Sequence, residues 1–412
     1  MTTDQITAKG YQVIKTVDDL HYYLKQALKL EHATIPPYIT ALYSLKPGTN
    51  LEAFHILRAV AVEEMLHLTL VANILNAVGG KDSDGTQHSL KGTLTHPDFV
   101  PEYPTPLPTG SKDFEVGLSK FSKETVVTFM KIERPEEDHE DENDQPAVVS
   151  RPLQGKNHFL RIHEGDSSLT FYSIGLFYAE IIRGLYALHK EMGPDLFCGD
   201  TTRQITPAYY YNGGGDIIPV TDLRSAIRAI RVIQEQGEGS RVATIYDAER
   251  ELAHYYRFHQ LIPKYDPQDP NSIPEGNDGQ YYVINKDNPE ESDNGNSGPR
   301  GASFKVDWDA VYPLKANASL NNYTAGTEVY AAAHEFESAY RNFLIELEDA
   351  FNGNPEKLIP AVGGMFRLKE QANNLIRNPI DGMDGDHAAP IFPVAPPNSA
   401  KYPEPFASIT QD

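Results

Sequence analysis

The sequence predicts a mainly α-helical fold: a four-helix bundle split by a long crossover insertion, with additional helices at the C-terminal end. Three observations predict it. Two long segments at the start carry apolar residues at three- and four-residue steps. Helical text then stops and returns only after residues 81–165, where Pro, Thr and Asp dominate. A last helical pair follows a polar loop, and no internal repeat of fixed period appears.

The elements follow in chain order. The first helix is expected from about Val17 to Leu45 and the second from about Asn50 to Gly79. LKPGTN (45–50) joins them with the Pro and Gly of a helix–helix turn, and VGG (78–80) supplies a Gly cap. Residues 81–165 read as a crossover with little regular structure or a few strands. SLTFYSIGLFYAEIIRGLYALHKEMG (168–193) is the third helix. A Gly- and Tyr-rich connection, PAYYYNGGGD, leads to a helix over 221–236, with Thr221 or Asp222 as N-cap. After a glycine-flanked break, helix resumes over 246–262. Residues 263–303 read as an exposed acidic loop, and 327–353 and 355–378 as a closing helical pair. The Pro-rich tail (390–406) is expected to lie extended. The domain plan is therefore a bundle over 1–262, the loop 263–303, and C-terminal helices and tail over 304–412 packed on the bundle.

The 412 residues are 40% hydrophobic, 10% aromatic and 23% charged, the composition of a globular protein. A formal charge of −22 argues against nucleic acid or an anionic membrane as partner. No uncharged apolar run is long enough to span a bilayer, and the N-terminus lacks a signal-peptide pattern. The single cysteine, Cys198, excludes an internal disulfide and thiolate metal motifs and fits a cytoplasmic location. The acidic runs 135–145 and 287–301 read as solvated loops, with a weak cation site as the lesser alternative.

The chemistry lies in charged residues on apolar helix faces. Leu57, Val60, Ala61, Leu68, Val71, Ile74, Leu75 and Val78 form one stripe of the second helix, and Glu64 and His67 fall inside it. Glu63 points elsewhere and is expected to face solvent. An ionised carboxylate in a bundle core costs several kcal/mol unless it is compensated, and a metal ion does that. On the first helix Glu31 interrupts the face traced by Leu20, Leu24, Ala27, Leu28, Ile35 and Tyr38. Glu31 lies sixteen residues before Pro47 and Glu64 sixteen after Gly48, so an antiparallel pair sets them at one height. Pro36–Pro37 is expected to kink the helix there and leave room for substrate or O₂.

The third helix carries Glu180 on a face with Phe177 and Gly184, with a salt bridge to Arg183 as the competing reading. For the fourth, Glu251-x-x-His254 copies the spacing of Glu64-x-x-His67. Depth instead favours a residue ten to seventeen past Thr221, which Glu235 and Glu238 satisfy. Glu238, between Gly237 and Gly239, would pair with His254 across a helical excursion; Glu251 is the alternative. One Glu from each of two helices and a Glu–His pair from each of the others is the arrangement of ferritin-like di-iron or di-manganese carboxylate bundles.

LEHATIPPYITALYS, EEMLHLTLVANILNAVGG, EQGEG and HYYRF resemble the ferritin-like domain of the iminophenyl-pyruvate dimer synthase family of violacein- and rebeccamycin-type biosynthesis. YPTPLP (103–108), FEVGLSKFS (114–122) and FNGNP (351–355) are similar as well, so the resemblance spans most of the chain. It implies Glu31, Glu64, His67, Glu180, Glu238 and His254 as metal ligands.

Oxygen and imidazole donors without thiolate suit one or two iron ions, with manganese as the alternative. The expectation is an O₂-using oxidase or oxygenase acting on a small amino-acid-derived molecule in specialised metabolism. Tyr38, Tyr178 and Tyr255 would line the pocket or be plain core. Arg183 and Arg257 would bind a substrate carboxylate or brace ligand glutamates, and His32 would be a satisfied helix-flank histidine. The competing readings are a ferroxidase without organic substrate, a bundle stabilised by metal, and a single ion on Glu31, Glu64 and His67. Catalytic residues and oligomeric state stay open, a homo-oligomer being compatible.

Overall fold

The computed structural model describes residues 13–80, 88–106, 115–135, 174–237, 245–247, 249–266, 273–285, 287–288, 291–293, 297–382 and 385–392. Helix α1, Val17–Ser44, begins with a capping box in which Asp19 N donates to Thr16 Oγ1 at 3.1 Å and Thr16 N to Asp19 Oδ2 at 2.8 Å. Its helical assignment runs unbroken through Pro36 and Pro37. Pro37 has no N–H for the carbonyl of Ala33, and Tyr103 OH donates to that carbonyl at 2.8 Å instead. Gly48 and Asn50, at φ 78° and 49°, turn the chain into α2, Leu51–Ala77.

Every residue of α2 from Glu63 to Ala77 is buried, so α2 is the central helix of the molecule. Its outer polar groups are consumed by structure. Asn73 Nδ2 donates to the carbonyls of Ile205 and Ile218, at 2.8 and 3.1 Å, and its Oδ1 accepts from Ile205 N at 2.8 Å. Asn76 Nδ2 donates to Phe351 O at 2.9 Å. Each such bond contributes about 1 kcal/mol net, but leaving one of these buried groups unpaired would cost more.

The crossover is less irregular than its composition predicts. It contains α3, Lys123–Ile132, whose N-cap Ser122 Oγ accepts from Thr125 N at 3.2 Å. Val126, Phe129 and Met130 are buried on its inner side. Helix α4, Ile174–Met192, and α5, Leu223–Gly237, supply the second bundle pair. Asp222 is the N-cap of α5, accepting from Ser225 N at 2.8 Å. The helix expected over 246–262 shrinks to α6, His254–His259. Before it, Tyr246 and Leu252 pair as an antiparallel bridge around Arg250 at φ 65°, a backbone that cannot continue a helix.

The expected exposed loop 263–303 is partly ordered by pairing. Strand β1, Asp278–Gln280, lies antiparallel to β2, Ser303–Lys305, and Asp293, 3% exposed, accepts from Val283 N and Arg300. The C-terminal helices are α7, Glu328–Phe351, and α8, Leu358–Ile376. Phe336, Tyr340, Leu344 and Leu347 of α7 belong to the same core as α1 and α2. Fully burying each such side chain contributes about 1.5–3 kcal/mol. Among the described residues no helix is long and apolar enough to cross a membrane. The acidic run 136–145 and the tail from 393 onward lie outside the described residues.

Candidate metal centre

The first half of the centre comes from the α1–α2 pair. Glu31 Oε2 stands 3.4 Å from His67 Nδ1, and Glu64 Oε2 stands 3.7 Å from the same nitrogen. The equal depth expected for Glu31 and Glu64 therefore holds. Tyr178 OH, from α4, donates to the other oxygen of Glu31.

The second half has a different origin. His254 is the first residue of α6, and its Nδ1 lies 3.1 Å from Glu64 Oε1 and 3.5 Å from Glu133 Oε2. Glu133 is the C-cap residue of α3, and Tyr38 OH donates to its Oε1. Two groups of potential ligand atoms result, Glu31–Glu64–His67 and Glu64–Glu133–His254, each within 4.8 Å. Glu64 belongs to both, offering one oxygen to each histidine. The two imidazoles are stacked with centroids 5.5 Å apart and 24° between planes.

The outer nitrogens of both rings are engaged. His67 Nε2 lies 3.0 Å from Gln236 Oε1, and His254 Nε2 lies 2.9 Å from Glu63 Oε2. Both partners are acceptors, so Nε2 carries a proton in either charge state, and loss of the second proton leaves an Nδ1 lone pair directed inward. His254 Nδ1 is buried and makes no hydrogen bond despite the carboxylates around it. An orphaned imidazole nitrogen facing converging carboxylate oxygens fits a divalent cation, and the donor set suits iron, manganese or zinc.

The electrostatics agree with that fit. Glu31, Glu64, His67, Glu133 and His254 are 4%, 3%, 1%, 2% and 0% exposed, so the carboxylates cannot all stay ionised without cations. In the metal-free protein, protons take that part. Burial, reinforced by Glu64, pushes the Glu31 carboxyl up to about 7. Burial opposes charge on His67, but hydrogen bonds to Glu31 and Glu64 outweigh it and raise the ring to about 10. Burial and the Glu64 charge raise Glu133, whereas the two histidines outweigh burial and hold Glu64 well below the usual carboxylate range.

The other residues singled out in the sequence are placed as follows. Glu180 is buried away from these groups: Arg183 takes both its oxygens at 2.6 Å and Ile14 N donates to Oε1 at 2.9 Å. The ion pair is the one the competing reading names, and the bond from Ile14 N in addition tethers the segment before α1. Glu238 lies outside the described residues, although a methyl group on the preceding Gly237 would stand 3.6 Å from Glu133 Oε2. Glu251 and Glu235 are exposed. Tyr255 is buried core, and His32 Nε2 pairs with Tyr340 OH.

Glu63 corrects the sequence reading. It is 7% exposed rather than solvent-facing, because the 212–216 connection and α6 cover the face of α2 that a lone helix pair would leave open. Its Oε1 accepts from Arg257 Nη2 at 2.9 Å, which makes Arg257 a brace for this glutamate. Glu133 is the residue sequence reasoning missed. A signal existed: Ser122 caps a short apolar helix, and 126, 129, 130 and 133 share one face of it. A cavity of about 480 Å³ lies between α7 and α8 around Ser338, Asn342 and Arg367 and is lined by none of the clustered glutamates and histidines.

Comparison with known proteins bears on the fold. No curated protein matches the sequence. The crystal structure of a ferritin-like protein from Caulobacter vibrioides superposes with a TM-score of 0.55, over 92% of this chain and 100% of that one. At 19% identity this likeness speaks for the fold alone. The ferritin-like family model matches residues 24–263, more than half of the sequence and the whole span that carries the clustered glutamates and histidines. The chain belongs to the ferritin-like family.

Proposed function

We propose that the protein is a non-haem di-iron oxidase or oxygenase acting on a small amino-acid-derived substrate. One ion would be held by Glu31, Glu64 and His67 and the other by Glu64, Glu133 and His254, with Glu238 retained as a further candidate ligand. The observation that carries this reading is Glu64, which offers Oε2 to the His67 side and Oε1 to the His254 side. A bridging carboxylate between two imidazole–carboxylate sets is the form of ferritin-like dinuclear centres.

A metal pair so held supplies the means to bind O₂ and accept electrons from an organic molecule. The chain's own residues do the rest. Gln236 and Glu63 hold the protons of His67 and His254 on Nε2, and Tyr178 and Tyr38 orient the Glu31 and Glu133 carboxylates by donating to them. The burial of all five ligands excludes bulk water. The motif resemblance to iminophenyl-pyruvate dimer synthases supports an oxidative role on an aromatic amino acid or its imine or keto-acid form.

The test is metal analysis of anaerobically purified protein, followed by optical spectra after Fe(II) and O₂ and by O₂ consumption with those substrates. Near-stoichiometric pairs of ions are expected, with both ions lost in Glu64→Ala. Uptake in Glu64→Ala equal to wild type would overturn the site. Iron oxidation without substrate-dependent O₂ consumption would leave a ferroxidase in place of the proposed enzyme.

A further inference from the structure

Behind the two inward-facing imidazoles stand unlike groups. His254 Nε2 meets a carboxylate, Glu63 Oε2 at 2.9 Å, while Arg257 Nη2 occupies the other oxygen at 2.9 Å. His67 Nε2 meets an amide, Gln236 Oε1 at 3.0 Å. The amide cannot turn over freely, because Gln236 Nε2 donates to the carbonyl of Gly214 at 2.9 Å. That carbonyl belongs to the NGGGD run of the Gly- and Tyr-rich connection, which lies against α2. Gly214 has φ +78°, and a Cβ there would stand 3.0 Å from Glu63 Cα. Gly215 has φ +131°, and its Cβ would stand 3.2 Å from Gln236 Nε2. Glycine is what lets one short segment cover Glu63 and pin Gln236 at once.

Among the described residues the inner donors of the two positions are matched: one carboxylate each, one imidazole each, and the shared Glu64. The difference between them lies behind the rings. A carboxylate accepting the N–H of a ligand imidazole places negative charge there and raises the basicity of its inner nitrogen; an amide does so far less. Arg257 offsets part of the Glu63 charge and takes Oε1, so that Oε2 is the Glu63 oxygen that faces His254 Nε2.

We propose that Glu63 and Gln236 are positioning residues that make the two metal positions unequal, so that the His254 position binds a divalent cation first and more tightly than the His67 position. This inference rests on the metal-centre reading above and adds an order of filling to it. Dinuclear centres that load one ion at a time present one open ion to the second, and here the outer hydrogen bonds set which comes first.

The test is an anaerobic titration of the full chain with Co(II), followed by calorimetry and by visible absorption of the bound ion. Wild type should show two resolved steps, with His254→Ala removing the tight one and His67→Ala the weak one. Glu63→Gln should weaken the tight step by about 10–100-fold and bring the steps together. Gln236→Glu should tighten the weak step and close the gap from the other side, which keeps the test valid if Glu63→Gln fails to fold. Two bound ions with steps unmoved in both variants, or loss of the tight step in His67→Ala, overturns the order of filling while the metal centre stands. Wild type that takes up no Co(II), Fe(II) or Mn(II) overturns both.

Discussion

Glu31, Glu64 and His67 come from two uninterrupted helices joined by a short turn, whereas Glu133 and His254 stand at a helix end and a helix start. The first three are positioned by regular rise and rotation: once α1 and α2 fold back on each other, their meeting follows from residue number. The other two are positioned by where helices stop. Glu133 sits where α3 ends, and His254 sits where the chain re-enters helix after the Arg250 turn. Equivalent donor sets can therefore be built from periodicity or from its interruption, and only the first kind leaves a periodic trace in the sequence.

The sharpest way to break this comparison is to exchange the roles assigned to Glu133 and Glu180. Glu133→Ala should reduce metal content to one ion per chain, while Glu180→Ala should leave it unchanged. The cost of Glu180→Ala should appear instead in the metal-free fold. Removing it leaves Arg183 and the N–H of Ile14 without their carboxylate, a loss of about 3 kcal/mol in urea unfolding. Metal loss in Glu180→Ala at unchanged stability would reverse the two assignments.

An intermediate effect is expected from pH on metal affinity at the helix-pair half. His67 keeps a proton up to about 10 in the metal-free protein, and Glu31 up to about 7. A cation must displace these protons, so affinity rises with pH. One proton is displaced above about 7, giving roughly tenfold tighter binding per pH unit, and the slope steepens below that. Calorimetry in buffers of different ionisation enthalpy counts the protons directly; a pH-independent affinity would contradict the protonated pair.

The smallest effect lies outside both halves and serves as their reference. Burial, with His88 stacked at 4.0 Å, lowers His21 to about 4 from 6.5. The unfolded chain takes up this proton first. Stability is therefore intact above about 6.5, falls as pH drops toward about 4, and levels off below. His21→Gln should flatten that part of the unfolding-midpoint profile and leave metal content untouched.

Much of the fold was legible from residue spacing. Helices α1 and α2 begin and end within a few residues of where their apolar periodicity and turn residues place them, because both periodicity and capping are local properties. The common depth of Glu31 and Glu64 was legible for the same reason. The orientation of Glu63 was not. A helical stripe distinguishes one buried face from the rest, and α2 is enclosed on more than one face by segments distant in sequence.

What the amino-acid sequence determined by itself was the helical bundle, the pairing of its first two helices and the carboxylate–imidazole set between them, since these depend on repeats of a few residues. Tertiary structure alone decided three further things. It brought Glu133 out of a crossover to face His254, set Glu180 against the backbone N–H of Ile14, and placed a carboxylate behind one histidine and an amide behind the other. Each of these depends on contacts between residues far apart in sequence, as the separations of 169 between His67 and Gln236 and 191 between Glu63 and His254 make plain. No local pattern encodes such distances; only the packing of the whole chain around α2 does.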